Sequence, residues 1–120
     1  MIEHTTTYYS CEYCGCEGLK SRIENHERYC TRNPSAISRF QSYVGRCFAN
    51  GKYFYRLTGL NNEGMKVISV FFDESKEMCI VRAEMRSLES IETFGEDCEE
   101  ISVMDYLSIL DKMFRKVRKW

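Results

Sequence analysis

The 120-residue chain is poor in several features, and each absence excludes a class of protein. It has no apolar run near the roughly 20 residues that a membrane-spanning helix needs, so we expect no membrane partner. Its first residues lack a basic region followed by an apolar segment, which predicts no signal peptide and a cytoplasmic location. Histidine is scarce, and the sequence has neither a Gly-rich phosphate loop nor a Gly-x-Ser-x-Gly motif. We therefore expect no catalytic residues and no enzyme activity.

Cysteine, in contrast, is abundant, with four of the seven cysteines lying within 20 residues of each other. An odd number of cysteines in a reducing compartment argues against a disulfide framework. Cys11 and Cys14 are separated by two residues and followed by a glycine, a turn that lets two thiolates reach one ion. His26 and Cys30 are four residues apart and would share one face of a helix. Three thiolates and one imidazole form the closed tetrahedral set that structural zinc prefers.

Further signals between the two ligand pairs predict that helix. Ser21 and Glu24 have the spacing of a capping box at its start. Leu19 and Ile23 would form a small apolar core beneath the cysteine pair. We expect the helix to end at the Asn-Pro pair of residues 33–34, because the residue before a proline avoids helical dihedral angles.

With this pattern, residues 8–34 resemble a zinc finger of the Cys-Cys-His-Cys variety. The resemblance implies a β-hairpin and a helix around one Zn2+ ion. The ligand positions of that family fall on Cys11, Cys14, His26 and Cys30. The spacing between the two ligand pairs is one residue shorter than is usual in the family, and Cys16 is an additional thiol that we expect not to ligate. Two other interpretations are a reduced cysteine cluster around a small core and a redox-active thiol.

After residue 44 the apolar residues alternate with a period of two, which is typical of strands. Turn signals at 50–51 (Asn-Gly), 61–64 and 73–77 divide this region into four short strands. The expected fold is therefore α+β, with a zinc finger at 1–34 and a small antiparallel β-sheet or barrel with a C-terminal amphipathic helix at 35–120. The strand number and turn spacing bear a vague resemblance to Src-homology-3-like barrels.

The last segment predicts an amphipathic helix, because its apolar residues recur every three or four positions. These residues are Val103, Tyr106, Leu107, Leu110, Met113, Phe114 and Val117. We expect Leu107, Leu110 and Phe114 to be buried against the sheet; the alternative is a groove for a partner helix. Basic residues follow at the end of the helix, where its dipole favours them. They are Lys112, Arg115, Lys116, Arg118 and Lys119.

Charge is unevenly distributed, although the net charge is only −1. Residues 35–62 carry four bases, no acid and several aromatic residues, which indicates a nucleic-acid-binding surface as one hypothesis. These bases are Arg39, Arg46, Lys52 and Arg56. Residues 87–111 carry eight acids and no base, and they would repel a phosphate backbone. We therefore expect a small zinc-containing adaptor or regulatory protein that binds a protein partner, with a regulatory protein that binds single-stranded or duplex nucleic acid as the alternative.

Overall fold

The computed structural model describes residues 1–5 and 8–117, which form helices and two antiparallel sheets in an α+β arrangement. The N-terminal elements are β1 (Ile2–Thr5), β2 (Tyr8–Ser10), β3 (Glu17–Gly18) and α1 (Lys20–Arg28). The elements that follow are α2 (Pro34–Gln41), β4 (Cys47–Asn50), β5 (Tyr53–Asn61), β6 (Gly64–Asp73), β7 (Met78–Arg86), α3 (Leu88–Glu92), α4 (Phe94–Asp97), β8 (Glu99–Ile101) and α5 (Val103–Val117). Among the described helices, none combines the length and the apolar character that crossing a membrane requires.

The first sheet has the strand order β1-β2-β3, and the connection from β2 to β3 carries the Cys-x-x-Cys turn. Helix α1 packs on this sheet through Ile23, which is fully buried in one cluster with Cys11 and Cys30. The prediction that Leu19 belongs to this core is wrong, because its side chain is 65% exposed. Leu19 precedes the helix and has extended dihedral angles, so it does not continue the apolar stripe of α1.

The predicted limits of α1 are also wrong. The helix begins at Lys20, and no side-chain hydrogen bond caps it, so Ser21 and Glu24 do not form the expected capping box. It ends at Arg28, several residues before the Asn-Pro pair. Helix α1 is therefore short, and its stability depends on packing rather than on its own caps.

The Asn-Pro pair starts the helix α2 instead of ending α1. Asn33 has the extended backbone that a following proline imposes, and this is also the backbone of an N-cap residue. Its side-chain oxygen accepts a hydrogen bond from the Ser35 amide at 3.0 Å, while Pro34 occupies the first turn. Helix α2, which the sequence analysis missed, then buries Ala36 and Phe40.

The second sheet has five strands in the order β7-β6-β5-β4-β8. The three predicted turns connect β4 to β5, β5 to β6 and β6 to β7. Strand β8 was not predicted; it pairs with β4 and places part of the acidic segment at a sheet edge. Within the described residues, β7 and β8 have one neighbour each, so the strands form an open sheet and not a closed barrel.

Helices pack on both faces of this sheet. One face packs against α2, α3 and α4, and its cluster is built from Ala36, Phe40, Phe48, Leu57, Met65, Val67, Leu88, Ile91 and Phe94. The opposite face packs against α5 through Val70, Phe72 and Met113. The two faces alternate along β6, as the pleat requires, because Val67 belongs to the first cluster and Val70 to the second.

Helix α5 spans the predicted segment, but a different side of it faces the sheet. Tyr106 and Met113 are buried, whereas Leu107 is 47% and Phe114 is 40% exposed. The prediction that both of these residues are buried is therefore wrong; Leu110, between them, is half-buried. The apolar stripe is wider than the contact with the sheet, so its far side faces solvent. The side chain of Val117 and the basic residues Arg118 and Lys119 lie outside the described residues.

Candidate metal centre

Four potential ligands come together at the junction of the first sheet and α1. One donor atom from each of Cys11, Cys14, His26 and Cys30 lies within 4.8 Å of the others. Among these atoms, Sγ of Cys14 lies 3.1 Å from Nε2 of His26. The four residues that the sequence proposes as ligands therefore lie close enough together to hold a metal ion.

The backbone of the Cys-x-x-Cys turn positions the first two sulfurs. The Cys11 amide donates to the Cys16 carbonyl at 2.7 Å, and the Gly15 amide donates to the Cys11 carbonyl at 2.9 Å. Gly15 has a φ of +78°, a left-handed conformation that glycine adopts without steric cost. The turn folds back on itself and presents the Cys11 and Cys14 sulfurs to the same point.

The sequence analysis expected the other two ligands, His26 and Cys30, to lie on one helix. The structure places only His26 on it. His26 is in the last turn of α1, but Cys30 follows the end of the helix. A tight turn carries the chain past that end, because the Tyr29 amide donates to the His26 carbonyl and the Cys30 amide to the Glu27 carbonyl. This turn brings the Cys30 sulfur back toward His26 without a further helical turn.

A carboxylate and an amide that the sequence analysis missed secure this arrangement. Glu27 accepts a hydrogen bond from the Glu12 amide through Oε2 at 3.0 Å, which links the Cys-x-x-Cys turn to α1. Asn33 donates from Nδ2 to the Glu27 carbonyl at 2.7 Å, which fixes the chain just beyond Cys30. These contacts join residues 15 and 6 positions apart, which exceeds the spacing of a capping or helix-face pattern.

The electrostatics of Cys30 argue against a reactive thiol at that position. Cys11 and Cys30 are buried, while Cys14 lies at the surface. Burial, together with the neighbouring sulfurs of Cys14 and Cys11, raises the pKa of the Cys30 thiol to about 11. A redox-active cysteine needs the opposite shift, toward a lower pKa. A positive ion at this point would stabilise the thiolate that burial disfavours.

The remaining cysteines lie outside the ligand group. Cys16 packs against the finger core and is not one of the four clustered ligands. Cys47 is buried, and Cys79 and Cys98 are half-buried. Burial raises the pKa of each of these three thiols. They therefore stay protonated and pack as small apolar side chains.

The N-terminal part of the chain contacts the larger sheet through the residues that follow the candidate metal centre. The ring centroid of Tyr29 lies 6.2 Å from that of Phe40, which belongs to the core of the five-stranded sheet. Thr31 donates through Oγ1 to the Asn62 carbonyl at 2.5 Å. An open cleft of about 440 Å³ lies between the two parts, and its lining includes His26 and Cys30. The metal centre therefore lies beside a cleft that both parts of the chain form.

Two of the four basic residues proposed for nucleic-acid binding are engaged by neighbours. The Arg39 guanidinium donates to the Arg28 carbonyl at 2.8 Å and lies 4.9 Å from the centre of the Phe40 ring. The Arg46 guanidinium lies 4.6 Å from the centre of the Tyr43 ring and 3.9 Å from Glu100. The nearby carboxylate lowers the positive potential that a phosphate would meet.

The four bases do not lie on one face. Lys52 is exposed in the turn between β4 and β5. Arg56 pairs with Ile68, which packs in the cluster under α5, so Arg56 lies on the α5 side of the sheet. Arg39 lies on α2, which packs on the other side of that sheet. The structure therefore does not bring Arg39, Arg46, Lys52 and Arg56 together, and their role in nucleic-acid binding stays a prediction.

Comparison with protein-family models, curated proteins and solved structures gives no significant match. Neither the zinc-finger resemblance nor the vague Src-homology-3 resemblance is supported by a relative. The metal centre is therefore interpreted from its donor atoms, their spacing and their surroundings alone.

Proposed function

We propose that this chain is a small zinc-containing adaptor or regulatory protein that binds a protein partner and has no catalytic activity. The zinc part of the proposal is supported by the four clustered ligands. A tetrahedron with Zn–S bonds of about 2.3 Å and a Zn–N bond of about 2.0 Å has edges of about 3.5–3.8 Å. The donor atoms all lie within 4.8 Å of one another, with Cys14 Sγ 3.1 Å from His26 Nε2, so they fit such a shell after small adjustments.

The proposed ion has a structural role because the protein fills all four positions. A catalytic zinc site keeps one position for water or substrate, whereas three thiolates and one imidazole close the shell. Cys11, Cys14 and Cys30 would bind as thiolates, and His26 would bind through Nε2. The bound ion would join the Cys-x-x-Cys turn to α1 and so hold the finger together.

The observation that carries the protein-binding proposal is the exposed apolar row on α5. Val103, Leu107 and Phe114 are 40%, 47% and 40% exposed and lie at positions i, i+4 and i+11 of one helix, with half-buried Leu110 at i+7. This spacing places them on one stripe, beside but not within the contact with the sheet. A continuous apolar stripe on an amphipathic helix is a common surface for protein recognition.

Affinity capture from a cognate lysate, with and without nuclease, tests this proposal. The decisive variant is Leu107→Glu/Phe114→Glu, and Ser108→Glu on the same exposed part of α5 is the control. We expect a nuclease-resistant protein partner that the wild type and the control retain and the double variant loses by at least tenfold (about 1.4 kcal/mol). Equal capture by all three proteins, or capture that nuclease abolishes, would contradict the assignment.

A second candidate function, binding of single-stranded nucleic acid, is favoured by a stack of two aromatic rings, one of them exposed, on the five-stranded sheet. The Tyr53 ring lies 4.7 Å from that of Phe71 at an interplanar angle of 19°, and Tyr53 is half exposed. Exposed aromatic rings can stack on bases, and Lys52 is adjacent for a phosphate. Gel-shift titration at about 0.05 and 0.2 M salt tests this function, with steep salt dependence as its signature. Loss of binding in Tyr53→Ala, with unchanged binding in Tyr13→Ala as a control for another exposed tyrosine, would support it.

A further inference from the structure

Strand β7 forms one edge of the five-stranded sheet, and no described strand pairs with its outer side. Its nine residues pair with β6 over their whole length without a register shift. Edge strands usually carry a proline, a lysine or a bulge that prevents pairing with another chain. Strand β7 has no proline, lysine or bulge, and its charged residues Arg82, Glu84 and Arg86 are of both signs, so its outer backbone groups can accept a strand of complementary charge.

The opposite edge of the sheet is protected. Strand β8 has only three residues, and Glu99 and Glu100 are both exposed. A second copy that approached this edge would bring like charges together, which is unfavourable between neighbouring strands. The five-stranded sheet therefore has one edge open to pairing, and pairing through it would stop at two copies.

The sequence of β7 is self-complementary about Ala83. Arg82 and Glu84 are its immediate neighbours, one on each side. Val81 and Met85 lie two positions away, again one on each side. In an antiparallel pair with a two-fold axis at Ala83, Val81 of each copy lies opposite Met85 of the other. Arg82 of each copy lies opposite Glu84 of the other, with Cβ atoms about 4.5–5.5 Å apart.

From this pattern we infer that two copies of the chain associate through β7 in an antiparallel arrangement centred on Ala83. The pairing joins the two sheets into one and forms two interchain Arg82–Glu84 ion pairs. Among the described residues Arg82 forms no ion pair. Glu84 binds Arg86 of its own strand through Oε1 alone. In the single chain, Arg82 and Glu84 can therefore each form a further ion pair.

Charge selects this register over its neighbours. Because strand side chains alternate between faces, the two-fold axis can move only by whole residues. Moving it by one residue places Arg82 opposite Arg82 or Glu84 opposite Glu84, and like charges directly opposite each other are unfavourable. Only the Ala83-centred register pairs both charges with opposite ones.

The apolar half of the strand lies on the side of the sheet that α5 covers. Val81 pairs with Val70, which packs in one cluster with Met113 of α5. Val81 is 55% exposed and Met85 38% exposed. These side chains would be partly buried against the second copy, so each face of the new strand pair contributes: apolar contacts on the α5 side and ion pairs on the other side.

Sedimentation equilibrium of the purified protein between about 1 and 100 µM tests the inference, because this range covers micromolar dissociation constants. We expect a monomer–dimer equilibrium for the wild type. Arg82→Glu and Glu84→Arg should each raise the dissociation constant at least about tenfold, because two attractive pairs become repulsive. The double variant Arg82→Glu/Glu84→Arg restores opposite charges and should recover the dimer. Lys76→Glu makes the same charge reversal outside β7 and should change nothing.

A wild type that stays monomeric over this range would overturn the inference. So would a dimer that both single reversals leave intact, or one that the double reversal fails to restore. Amide hydrogen exchange supplies a measurement that needs no variant: protection of amides in 78–86 should rise with protein concentration, whereas protection in β8 should not. The experiment uses purified protein alone, so its outcome is independent of the partner proposed for α5.

Discussion

Sγ of Cys14 lies 3.1 Å from Nε2 of His26, although 12 positions in sequence separate the two residues. This approach closes the loop between the Cys-x-x-Cys turn and α1. The Glu12–Glu27 hydrogen bond also closes it, but the buried core beside it is small, because it contains Ile23 together with two of the ligands themselves. The ion proposed for this point would therefore supply most of the energy that folds the finger.

The first prediction concerns metal content. We expect about one zinc per chain by elemental analysis of the purified protein, because four ligands form one closed site. Cys30→Ser should lower the zinc content to near zero, since a serine hydroxyl is a poor zinc ligand. Cys16→Ser is the matched control and should keep the metal, because Cys16 lies outside the ligand group. Zinc loss in the Cys16 variant, or retention in the Cys30 variant, would contradict the proposed ligand set.

The second prediction concerns metal removal. A strong chelator should unfold the finger while the larger sheet stays folded, because the sheet has its own core around Phe40, Leu57 and Val67. Amide exchange should show lost protection in 20–28 and retained protection in 53–61. Global unfolding on chelation would mean that the contacts of Tyr29 and Thr31 make the two parts one cooperative unit. This measurement also tests the predicted domain boundary after residue 34.

Features that depend on neighbouring residues could be predicted from the sequence. The turns at 50–51, 61–64 and 73–77 are set by a few adjacent residues, and the structure places each between the expected strands. The clustering of Cys11, Cys14, His26 and Cys30 was also predicted, and the structure confirms it. Here residue chemistry and spacing were sufficient, because only a small number of residue types bind metal.

Features that depend on tertiary packing could not be predicted. The pair Asn33-Pro34 is compatible with either the end or the start of a helix, and only the packing of Phe40 in the main core decides for a start. The exposed side of α5 is determined by how the helix crosses the sheet, since its apolar stripe is wider than that contact. The dispersal of Arg39 and Arg56 likewise follows from their positions on opposite sides of one sheet.

The third prediction uses the two sides of α5. Met113→Ala should lower the free energy of unfolding by about 2–5 kcal/mol, because Met113 is buried against Val70 and Phe72. Leu107→Ala removes a side chain of similar size but should cost below about 1 kcal/mol, because Leu107 is half exposed. Urea unfolding of dilute protein measures both. Equal costs for the two variants would mean that both sides of the helix are packed.

The fourth prediction compares two glycines. A Cβ atom at Gly64 would lie 2.3 Å from the Arg86 carbonyl oxygen, and the φ of Gly64 is +137°. Gly64→Ala should therefore destabilise the β5–β6 turn by more than about 3 kcal/mol, since both the clash and the backbone conformation oppose a side chain. Gly59→Ala is the matched control, because nothing lies within 4 Å of a Cβ atom there. Its cost should stay within about 1 kcal/mol in the same thermal or urea unfolding experiment.

The last prediction concerns alkaline pH. Burial, followed by the neighbouring Cys47, raises the pKa of the Tyr106 phenol above its ordinary value of 10.0. The folded state thus holds this proton more tightly than the unfolded state does. The corresponding stability is complete below pH 10.0 and is lost as the pH rises through the folded pKa. Helix α5 should therefore detach from the sheet more easily in strong base.

The variant Tyr106→Phe isolates this effect, because it keeps the ring and removes the titrating group. Other groups with raised pKa values, such as Tyr55, are present in both proteins, so their contributions cancel in the comparison, whereas the measured difference includes the interaction of Tyr106 with Cys47. We expect the free energy of unfolding in urea to fall less steeply for the variant than for the wild type once the pH passes about 10. Identical slopes would show that the Tyr106 phenol is as accessible to water in the folded chain as in the unfolded chain, which would contradict the burial of this α5 side chain in the folded protein.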